Sequence, residues 1–420
     1  MGRAPRPGLH VQKESRYSPK FGFGLRLRYH TARDRWIVAV EKPLSLGGPI
    51  GGAGGAARAQ TPPVPGAAGS STKWIDPGLP GERSTTPSFR PAISPQPAAH
   101  RLAPQYAALD LGTNNCRLLV ARPAGSSFRV VDAFSRIVRL GEGLVGTGAL
   151  SEEAMARALD ALKICADKIA ARGVAAGRYV ATEACRQAAN CDVFLARVRA
   201  EVGLEIEIIP SAEEARLVVA GCAPLLNPRI PYALVFDIGG GSTEIVWLRL
   251  WGGQGRRRRQ ILGSVSLPFG VVTLTDRFGG AEVSPATYRD MVAATMTALT
   301  SFERTHEILR HVRTGRVQML GSSGTVTTLA GIHLALPRYT RALVDGSVLT
   351  FEQISVVSAH LAALDLAGRA ANPCVGRERA DLVLSGCAIL DAICAIWPVG
   401  RLRVADRGVR EGILCDLMRV

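Results

Sequence analysis

The pattern of apolar and polar positions changes near Tyr106, where irregular sequence gives way to regular alternation of short and long segments. Apolar runs of strand length alternate with longer stretches in which apolar residues recur every three or four positions, as in a half-buried helix. In the segment 151–171, Ser151 suits a helix N-cap, and Met155, Leu159 and Leu162 follow at helical spacing. This alternation of strands and helices predicts an α/β fold.

Two α/β units are predicted from this pattern. In the first, we expect strands at 107–112, 116–122, 128–140, 179–182 and 205–209, and helices at 151–171, 183–200 and 212–222. Prolines at 224, 228 and 231 then interrupt the chain. In the second, we expect strands at 232–238, 243–250, 260–268, 317–320 and 402–405, and helices at 285–310, 325–336, 351–367, 378–396 and 409–418.

Residues 1–100 have a different composition from the rest. The stretch 47–67 is mostly Gly, Ala and Pro, and 77–97 is rich in Pro, Ser and Thr, so neither can bury enough apolar surface to offset its ordering entropy. We predict a disordered basic tail at 1–100, a first lobe at 101–230 and a second lobe at 231–420. Within the tail, 21–40 mixes aromatic and basic residues, which suits a short hairpin or weak RNA binding; a solvated tail or a misassigned start codon is the simpler interpretation.

Charge and cysteine content narrow the functional classes. The chain has 51 Lys and Arg against 35 Asp and Glu, a net charge of +16, and such a protein attracts polyanions. Positive charge is denser in the tail than in the rest of the chain. No specific nucleic acid partner is expected. The nine cysteines include no C-x-x-C pair, and no His stands near a Cys in a catalytic pattern, which favours reduced thiols. Without an apolar run of about 18 residues or a signal peptide, we expect a cytoplasmic protein with no membrane partner.

A strand–turn–strand signature occurs twice. Leu109-Asp110-Leu111-Gly112-Thr113-Asn114-Asn115 opens the first unit, and Phe236-Asp237-Ile238-Gly239-Gly240-Gly241-Ser242-Thr243 opens the second. In each, an Asp lies where an apolar strand ends, and a Gly-containing turn follows. Successive N–H groups in such turns can converge on phosphate, and the two carboxylates can hold one metal ion. Two unrelated hairpin turns are the alternative.

The pair of signatures resembles the phosphate motifs of the actin, hexokinase and heat-shock ATPase superfamily. The second copy, extended to Glu244, is similar to that of the exopolyphosphatase and guanosine pentaphosphate phosphohydrolase (Ppx/GppA) family. Segments 182–190, 211–217, 321–325 and 406–412 resemble further motifs of that family in the same order. The resemblance covers about 106–418 and implies two actin-like (ribonuclease H-like) lobes with a cleft between them.

Hydrolysis of a phosphoanhydride needs charge neutralisation and an oriented water molecule. Glu214 is the candidate base, because it starts a helix expected to enter the cleft and matches the family's catalytic glutamate; Glu213 is the alternative, favoured there only by the helix dipole. Asp110 and Asp237 are predicted to hold Mg²⁺, with Mn²⁺ as the alternative, mostly through water. Glu244 is a third candidate ligand or else a solvated charge.

The remaining candidates bind phosphate. Arg186 suits bidentate contact with phosphate, or it is a surface helix residue. Further donors are expected from Thr113, Asn114, Gly239, Gly240, Gly241, Ser242 and Gly324. The run Arg256-Arg257-Arg258-Arg259 is interpreted as a solvated hairpin tip, with a landing patch for a long polyanion as the alternative.

The resemblance implies release of terminal phosphate from inorganic polyphosphate, with conversion of guanosine pentaphosphate to tetraphosphate as the alternative. An actin-like small-molecule kinase or a catalytically silent sensor fits less well, because the acidic candidates are all present. The oligomeric state is open, with a homodimer compatible. Two departures from the family are expected to matter: Cys185 precedes Arg186, and no helical C-terminal domain follows the last predicted helix.

Overall fold

The computed structural model describes residues 27–32, 35–40, 103–252 and 258–420. Strands β1 (Leu27–Ala32) and β2 (Arg35–Val40) pair antiparallel, as expected for a short hairpin in that part of the tail. The rest of the predicted tail, and Arg256 and Arg257 of the arginine run, lie outside the described residues. The disorder of residues 1–100 therefore stays a prediction.

The first lobe is built on a five-stranded sheet. Its strands, in chain order, are β3 (Tyr106–Leu111), β4 (Asn115–Ala124), β5 (Ser127–Ile137), β6 (Ala176–Ala181) and β7 (Glu207–Ile208). The spatial order is β5-β4-β3-β6-β7. The first three strands run antiparallel as a meander, and β3, β6 and β7 run parallel.

The second lobe repeats this arrangement on a six-stranded sheet. Its strands are β8 (Tyr232–Ile238), β9 (Thr243–Trp251), β10 (Arg258–Leu267), β11 (Val317–Ser322), β12 (Val348–Thr350) and β13 (Arg401–Ala405). The order β10-β9-β8-β11-β13-β12 again places an antiparallel meander beside parallel strands. The duplicated signature thus belongs to a duplicated topology, and the predicted α/β fold with two lobes is confirmed.

The helices lie between these strands. In chain order they are α1 (Leu144–Thr147), α2 (Glu152–Ala171), α3 (Glu183–Gln187), α4 (Cys191–Val202), α5 (Ser211–Cys222), α6 (Val271–Phe278), α7 (Pro285–His306), α8 (Ile308–Arg313), α9 (Gly324–His333), α10 (Arg341–Val344), α11 (Phe351–Ala363), α12 (Leu366–Ala371), α13 (Val383–Ile396) and α14 (Val409–Met418). Ser151 caps α2 as predicted, its side chain accepting from the Ala154 N–H. No helix in the described part of the chain is long and apolar enough to cross a membrane.

Several predicted helices are interrupted. The predicted helix 285–310 ends at Glu307, which adopts a left-handed conformation (φ 47°) between α7 and α8. The predicted helix 351–367 stops at Ala363, because Asp365 caps the separate helix α12. The predicted helix 378–396 starts only at Val383, after a 3₁₀ turn at Arg377–Arg379. The sequence analysis also missed α1, α6, α10 and β12.

Two helices join the lobes by packing across them. Helix α5 follows the first sheet in the chain but contacts β9 and β10 of the second, whereas α14 follows the second sheet and contacts β3 and β4 of the first. The two helices pack on each other, and their buried residues, such as Leu217 and Ile413, form one apolar cluster with residues of both sheets. Each lobe also has its own core. The end of α5 therefore meets the start of α14 between the two sheets, where Gly221 approaches Gly408.

The crossing of α5 and α14 depends on glycine. A Cβ on Gly221 would lie 2.2 Å from the carbonyl oxygen of Gly408 and 3.0 Å from the amide nitrogen of Gly412. Backbone atoms cannot move aside as a flexible side chain can, so we expect Gly221→Ala to lower the free energy of unfolding by roughly 1–3 kcal/mol. Denaturant unfolding measures this.

Gly146→Ala is the matched control, because a Cβ there meets no atom within 4 Å. We expect its unfolding free energy to equal or slightly exceed that of the parent protein. Equal stability of the Gly221 and Gly146 variants would contradict the close approach of the two helices.

Candidate active site

The two duplicated turns have the same backbone geometry. Asp110 lies one residue before the end of β3, and the Gly112 N–H donates to the Asn115 carbonyl at 2.8 Å. Asp237 lies one residue before the end of β8, and the Gly239 N–H donates to the Ser242 carbonyl at 2.9 Å. Each turn thus places an aspartate and a set of polar groups at the same end of its sheet.

The turns face and touch each other. A Cβ on Gly240 would lie 2.9 Å from the amide nitrogen of Asn114, and one on Gly241 would lie 2.5 Å from the Thr113 hydroxyl oxygen. Only glycine permits this approach, so the second turn needs its glycines for contact with the first lobe as well as for N–H donors. The tips of the two lobes are closed on each other.

A cleft opens beneath these turns, and most of the predicted site residues line it. Those that do are Asp110, Thr113, Asn114, Glu214, Asp237, Gly239, Gly240, Gly241, Ser242 and Gly324. The prediction that the two signatures and the start of α5 meet in one cleft agrees with this placement. Arg186 and Glu244 do not line the cleft.

Glu214 is the acidic residue at the start of α5 that faces the cleft. Its residue is 7% exposed, and Oε2 accepts from Nη1 of Arg186 at 2.9 Å. Burial and then the charge of Glu244 raise the pKa of Glu214 well above its ordinary value, against the opposing effect of Arg186. A carboxylate whose pKa is raised in this way accepts a proton more readily at neutral pH.

Glu213, the alternative base, points elsewhere. Its carboxylate receives hydrogen bonds from Arg178 at 2.8 Å and from Arg216 at 2.7 Å. The hydrogen bond from Arg216 is the main reason that the pKa of Glu213 falls to about 2. A carboxylate with so low a pKa is a poor base, so the geometry separates the two neighbouring glutamates in favour of Glu214.

Arg186 contacts carboxylates and a carbonyl rather than the cleft. Besides Glu214, its guanidinium donates twice to Oε2 of Glu183, at 2.9 and 2.7 Å, and once to the Ile209 carbonyl at 2.8 Å. The interpretation as an unengaged surface arginine is therefore wrong. In this conformation Arg186 orients Glu214; direct contact of Arg186 with phosphate stays a prediction.

Glu244 lies behind the second turn and is 1% exposed, so the interpretation as a solvated charge is wrong. Its Oε1 accepts from the hydroxyls of Ser242 at 2.7 Å and Ser266 at 2.9 Å. Burial raises the pKa of Glu244, and its charge in turn raises the pKa of Glu214. In this placement Glu244 holds the Ser242 side chain in the turn by a hydrogen bond and acts on Glu214 only by electrostatic repulsion between the two carboxylates.

Two arginines line the cleft that the sequence analysis did not single out. Arg117, on β4, stands opposite Asp110 in the register of β3 and β4, and Arg379 comes from the 3₁₀ turn of the second lobe. Neither guanidinium makes a hydrogen bond or ion pair with any residue that the structure describes. Burial lowers the pKa of Arg379, and the like charge of Arg117, which lines the same cleft, lowers it further.

Of the two cleft arginines, only Arg117 could have been found from the sequence. Arg117 follows the first signature by two residues, and the strand register would have paired it with Asp110. Nothing local marks Arg379, which approaches Arg117 only through the packing of the lobes. Ser323, beside Gly324, was also missed; it lines the cleft with φ at 136°, a strained value of the kind that clusters at functional sites.

The donor set of the cleft suits a hydrated divalent cation. Burial raises the pKa of Asp110, and burial followed by the charge of Glu244 raises the pKa of Asp237 to about 7, so both carboxylates would gain from a cation. Oδ1 of Asn114 is buried without a hydrogen-bond partner. In the described ranges, no three His, Cys, Asp or Glu side chains converge to hold a metal directly. Two carboxylates and water fit Mg²⁺, but the geometry does not support Glu244 as a third direct ligand.

Together these groups give the cleft donors for an anionic ligand beside four carboxylates that a bound cation would balance. Two turns present N–H and hydroxyl groups, two arginines without an ion-pair partner among the described residues add positive charge, and the buried carboxylate of Glu214 stands where it can take a proton. Groups of these kinds are the ones that enzymes acting on phosphate gather around the reacting phosphate.

Comparison with known proteins gives the family. Residues 119–420 match the model of the Ppx/GppA phosphatase family, and the chain belongs to that family. It is 30% identical over 317 residues to the guanosine-5'-triphosphate,3'-diphosphate pyrophosphatase of Photobacterium profundum, covering 76% of this chain and 60% of the relative. The chain thus spans about 60% of the length of the curated relatives that it matches.

Solved structures match over nearly their whole length. The Ppx/GppA family member of Aquifex aeolicus is 29% identical with a TM-score of 0.60, and the match covers 75% of this chain and 98% of that one. An exopolyphosphatase-like protein is also 29% identical, with a TM-score of 0.67 and the same two coverages. The two-lobed part of this chain therefore corresponds to nearly the whole of each of these solved chains.

Proposed function

We propose that the protein hydrolyses a terminal phosphoanhydride bond, releasing orthophosphate from a highly anionic substrate. The observation that carries the proposal is the position of Glu214. It is a buried carboxylate with a raised pKa in a cleft that is otherwise lined by phosphate-binding turns and two unpaired arginines. Family membership supports the same class of reaction.

In the proposed reaction, the substrate's terminal phosphate lies in the cleft beneath the two turns. The N–H groups of the turns, with the Thr113 hydroxyl, hold its oxygens, and Arg117 and Arg379 neutralise charge on the adjoining phosphates. Glu214 accepts a proton from a water molecule, whose oxygen forms the new bond to phosphorus. The bridging oxygen leaves with the electron pair of the broken P–O bond, giving orthophosphate and a shortened substrate.

Three features support this reaction without taking part in bond making: the pair Arg186 and Glu183, the pair Asp110 and Asp237, and the contact between the two turns. Arg186 holds Glu214 toward the cleft, and Glu183 in turn holds Arg186. Asp110 and Asp237 would bind Mg²⁺ through water, and the ion would supply positive charge to the phosphates. The contact between the turns excludes bulk water from the tip of the cleft, which strengthens each of these electrostatic interactions.

Guanosine pentaphosphate is the substrate that the curated relatives favour, because the name of the Photobacterium profundum protein specifies it. This reverses the order suggested by the sequence, where inorganic polyphosphate came first. The exopolyphosphatase-like structural relative, at 29% identity, keeps polyphosphate as the second candidate. Both substrates present consecutive phosphates to the pair of arginines.

The test is a substrate comparison with purified full-length protein and magnesium. We expect phosphate release from guanosine pentaphosphate at the highest kcat/KM, lower release from inorganic polyphosphate, and little from ATP. A preference for long polyphosphate would restore the first choice of the sequence analysis. Release from ATP alone would overturn the proposed substrates, and release from none of the three would overturn the proposed reaction.

A further inference from the structure

One arginine outside the cleft connects the two lobes beside it. Arg139 follows β5 in the first lobe, and its guanidinium donates from Nη1 and Nη2 to the two carboxylate oxygens of Asp381, each at 2.9 Å. Nη2 also donates to the Glu378 carbonyl at 3.0 Å. Asp381 and Glu378 belong to the second lobe, so three hydrogen bonds from one side chain join lobe to lobe in a forked geometry.

On the first lobe, the backbone of Arg139 is fixed to the phosphate-binding turn. Its N–H donates to the Asn114 carbonyl at 3.1 Å, and the Gly141 N–H donates to the Thr113 carbonyl at 3.0 Å. Arg139 adopts a left-handed φ of 46°, which is unusual for a residue with a side chain. The position of its guanidinium is therefore tied to the first turn of the cleft.

On the second lobe, the partners of Arg139 flank Arg379. Glu378 precedes Arg379 and Asp381 follows it by two residues, at the 3₁₀ turn that leads to α13. Arg379 lines the cleft, whereas Arg139 does not. Arg139 thus holds the turn from outside, on both sides of the residue that presents its charge to the substrate.

This contact differs from the other ion pairs in the described ranges. Arg216 and Asp416 also pair across the lobes, but they do so on the crossed helices α5 and α14. Away from those helices, Arg139–Asp381 is the one ion pair between the lobes in the part of the chain that the structure describes. Its side chains are 28% and 26% exposed, so the pair is accessible enough to open and to be weakened by salt.

We propose that Arg139 is a positioning residue: with Asp381 it clasps the closed lobes and holds Arg379 opposite Arg117 for the substrate. The inference rests on the proposed function of the cleft. Loss of the clasp lets the 3₁₀ turn move, so that the distance between Arg117 and Arg379 is no longer fixed. Substrate binding then weakens. Glu214 lies on α5 and not on the 3₁₀ turn, so the base of the proposed reaction remains in place. The signature is a change in KM with little change in kcat.

The test combines kinetics with backbone amide exchange. Inorganic tripolyphosphate serves as the kinetic probe, and exchange across residues 376–383 is measured without substrate. For Arg139→Gln and for Asp381→Asn, we expect KM to rise about three- to tenfold, kcat to stay within about twofold, and exchange in 376–383 to accelerate severalfold. Arg139→Lys keeps the charge but not the fork, so it should fall between parent and Arg139→Gln.

Two further variants separate a clasp from a general loss of stability. The double variant Arg139→Asp with Asp381→Arg should recover exchange protection that each single change loses. Arg197→Gln is the matched control, since it removes an arginine with two carboxylate partners, Glu152 and Glu201, on the outer surface of the first lobe; it should change neither readout.

Unchanged exchange across 376–383 in Arg139→Gln would overturn the proposal, as would a loss of kcat equal to the loss of kcat/KM. A parent protein that hydrolyses none of the substrates but shows the expected exchange changes would keep the clasp and reject only the proposed reaction. The two ideas therefore fail independently.

Discussion

Glu214→Gln is expected to lower kcat by about 10²–10⁴-fold while the protein folds as the parent does. The amide keeps the size of the side chain and can still contact Arg186, but it cannot take a proton from water. Phosphate release under saturating substrate measures the effect. KM should change less than kcat, because the turns and the cleft arginines that hold the substrate remain.

Glu213→Gln is the control, since it alters the neighbouring residue on the same turn of α5. It removes hydrogen bonds to Arg178 and Arg216 and should therefore lower stability somewhat. Its kcat should stay within about tenfold of the parent, because Glu213 has no contact with the cleft. Equal losses of kcat in the two variants would contradict the assignment of Glu214 as the base.

The dependence of activity on pH is a second test of Glu214 as the base. The base must be ionised, and burial together with Glu244 raises the pKa of Glu214, so activity should rise with pH across an acidic limb well above the ordinary pKa of a glutamate. At lower pH Glu214 is protonated and the rate falls. The small residual rate of Glu214→Gln should lack that limb; a limb of the same shape in the variant would assign the titration to another group.

The sequence predicted those features of the site that are local in the chain. Each signature specifies a strand, an aspartate and a turn within eight residues, and the structure places both turns at corresponding sheet ends. The start of α5 could be predicted for the same reason, because the helix pattern begins at the two glutamates. The rotation of α5 about its axis decides which of Glu213 and Glu214 faces the cleft. Glu213 is turned toward Arg178 and Arg216, so it is Glu214 that faces the cleft.

Features that depend on packing between distant segments were not predictable in the same way. Arg186 reads as a phosphate ligand by resemblance, and only the approach of α3 to α5 reveals its pairing with Glu214. Arg379 lines the cleft together with Arg117 of the other lobe, and no local pattern in the sequence connects the two residues. The ends of helices failed for a further reason: a left-handed Glu307 and a capping Asp365 interrupt apolar patterns that continue without a break in sequence.

Asp237→Asn is expected to lower kcat/KM at fixed magnesium by at least about tenfold and to raise the magnesium concentration for half-maximal rate. Asp237 is a half-buried carboxylate that lines the cleft with Asp110 and Arg117, and no protein cation forms an ion pair with it in the described ranges. A neutral amide gives up the charge that attracts hydrated Mg²⁺ while it keeps the shape of the side chain. Part of the lost rate should return at high magnesium.

A stability measurement tests the same site without any turnover. If Mg²⁺ binds the folded protein only, tenfold excess over Kd adds about 1.4 kcal/mol to the free energy of unfolding, and the parent protein's Tm should rise on adding magnesium. Asp237→Asn should lose most of that rise. Asp391→Asn is the matched control, because Asp391, on α13, is also a half-buried aspartate and lies outside the cleft. Burial raises the pKa of Asp391 to about 6, and its carboxylate accepts a hydrogen bond from the Tyr288 hydroxyl at 2.7 Å. It should keep the full response to magnesium, and an equal response in Asp237→Asn would remove Asp237 from the metal site.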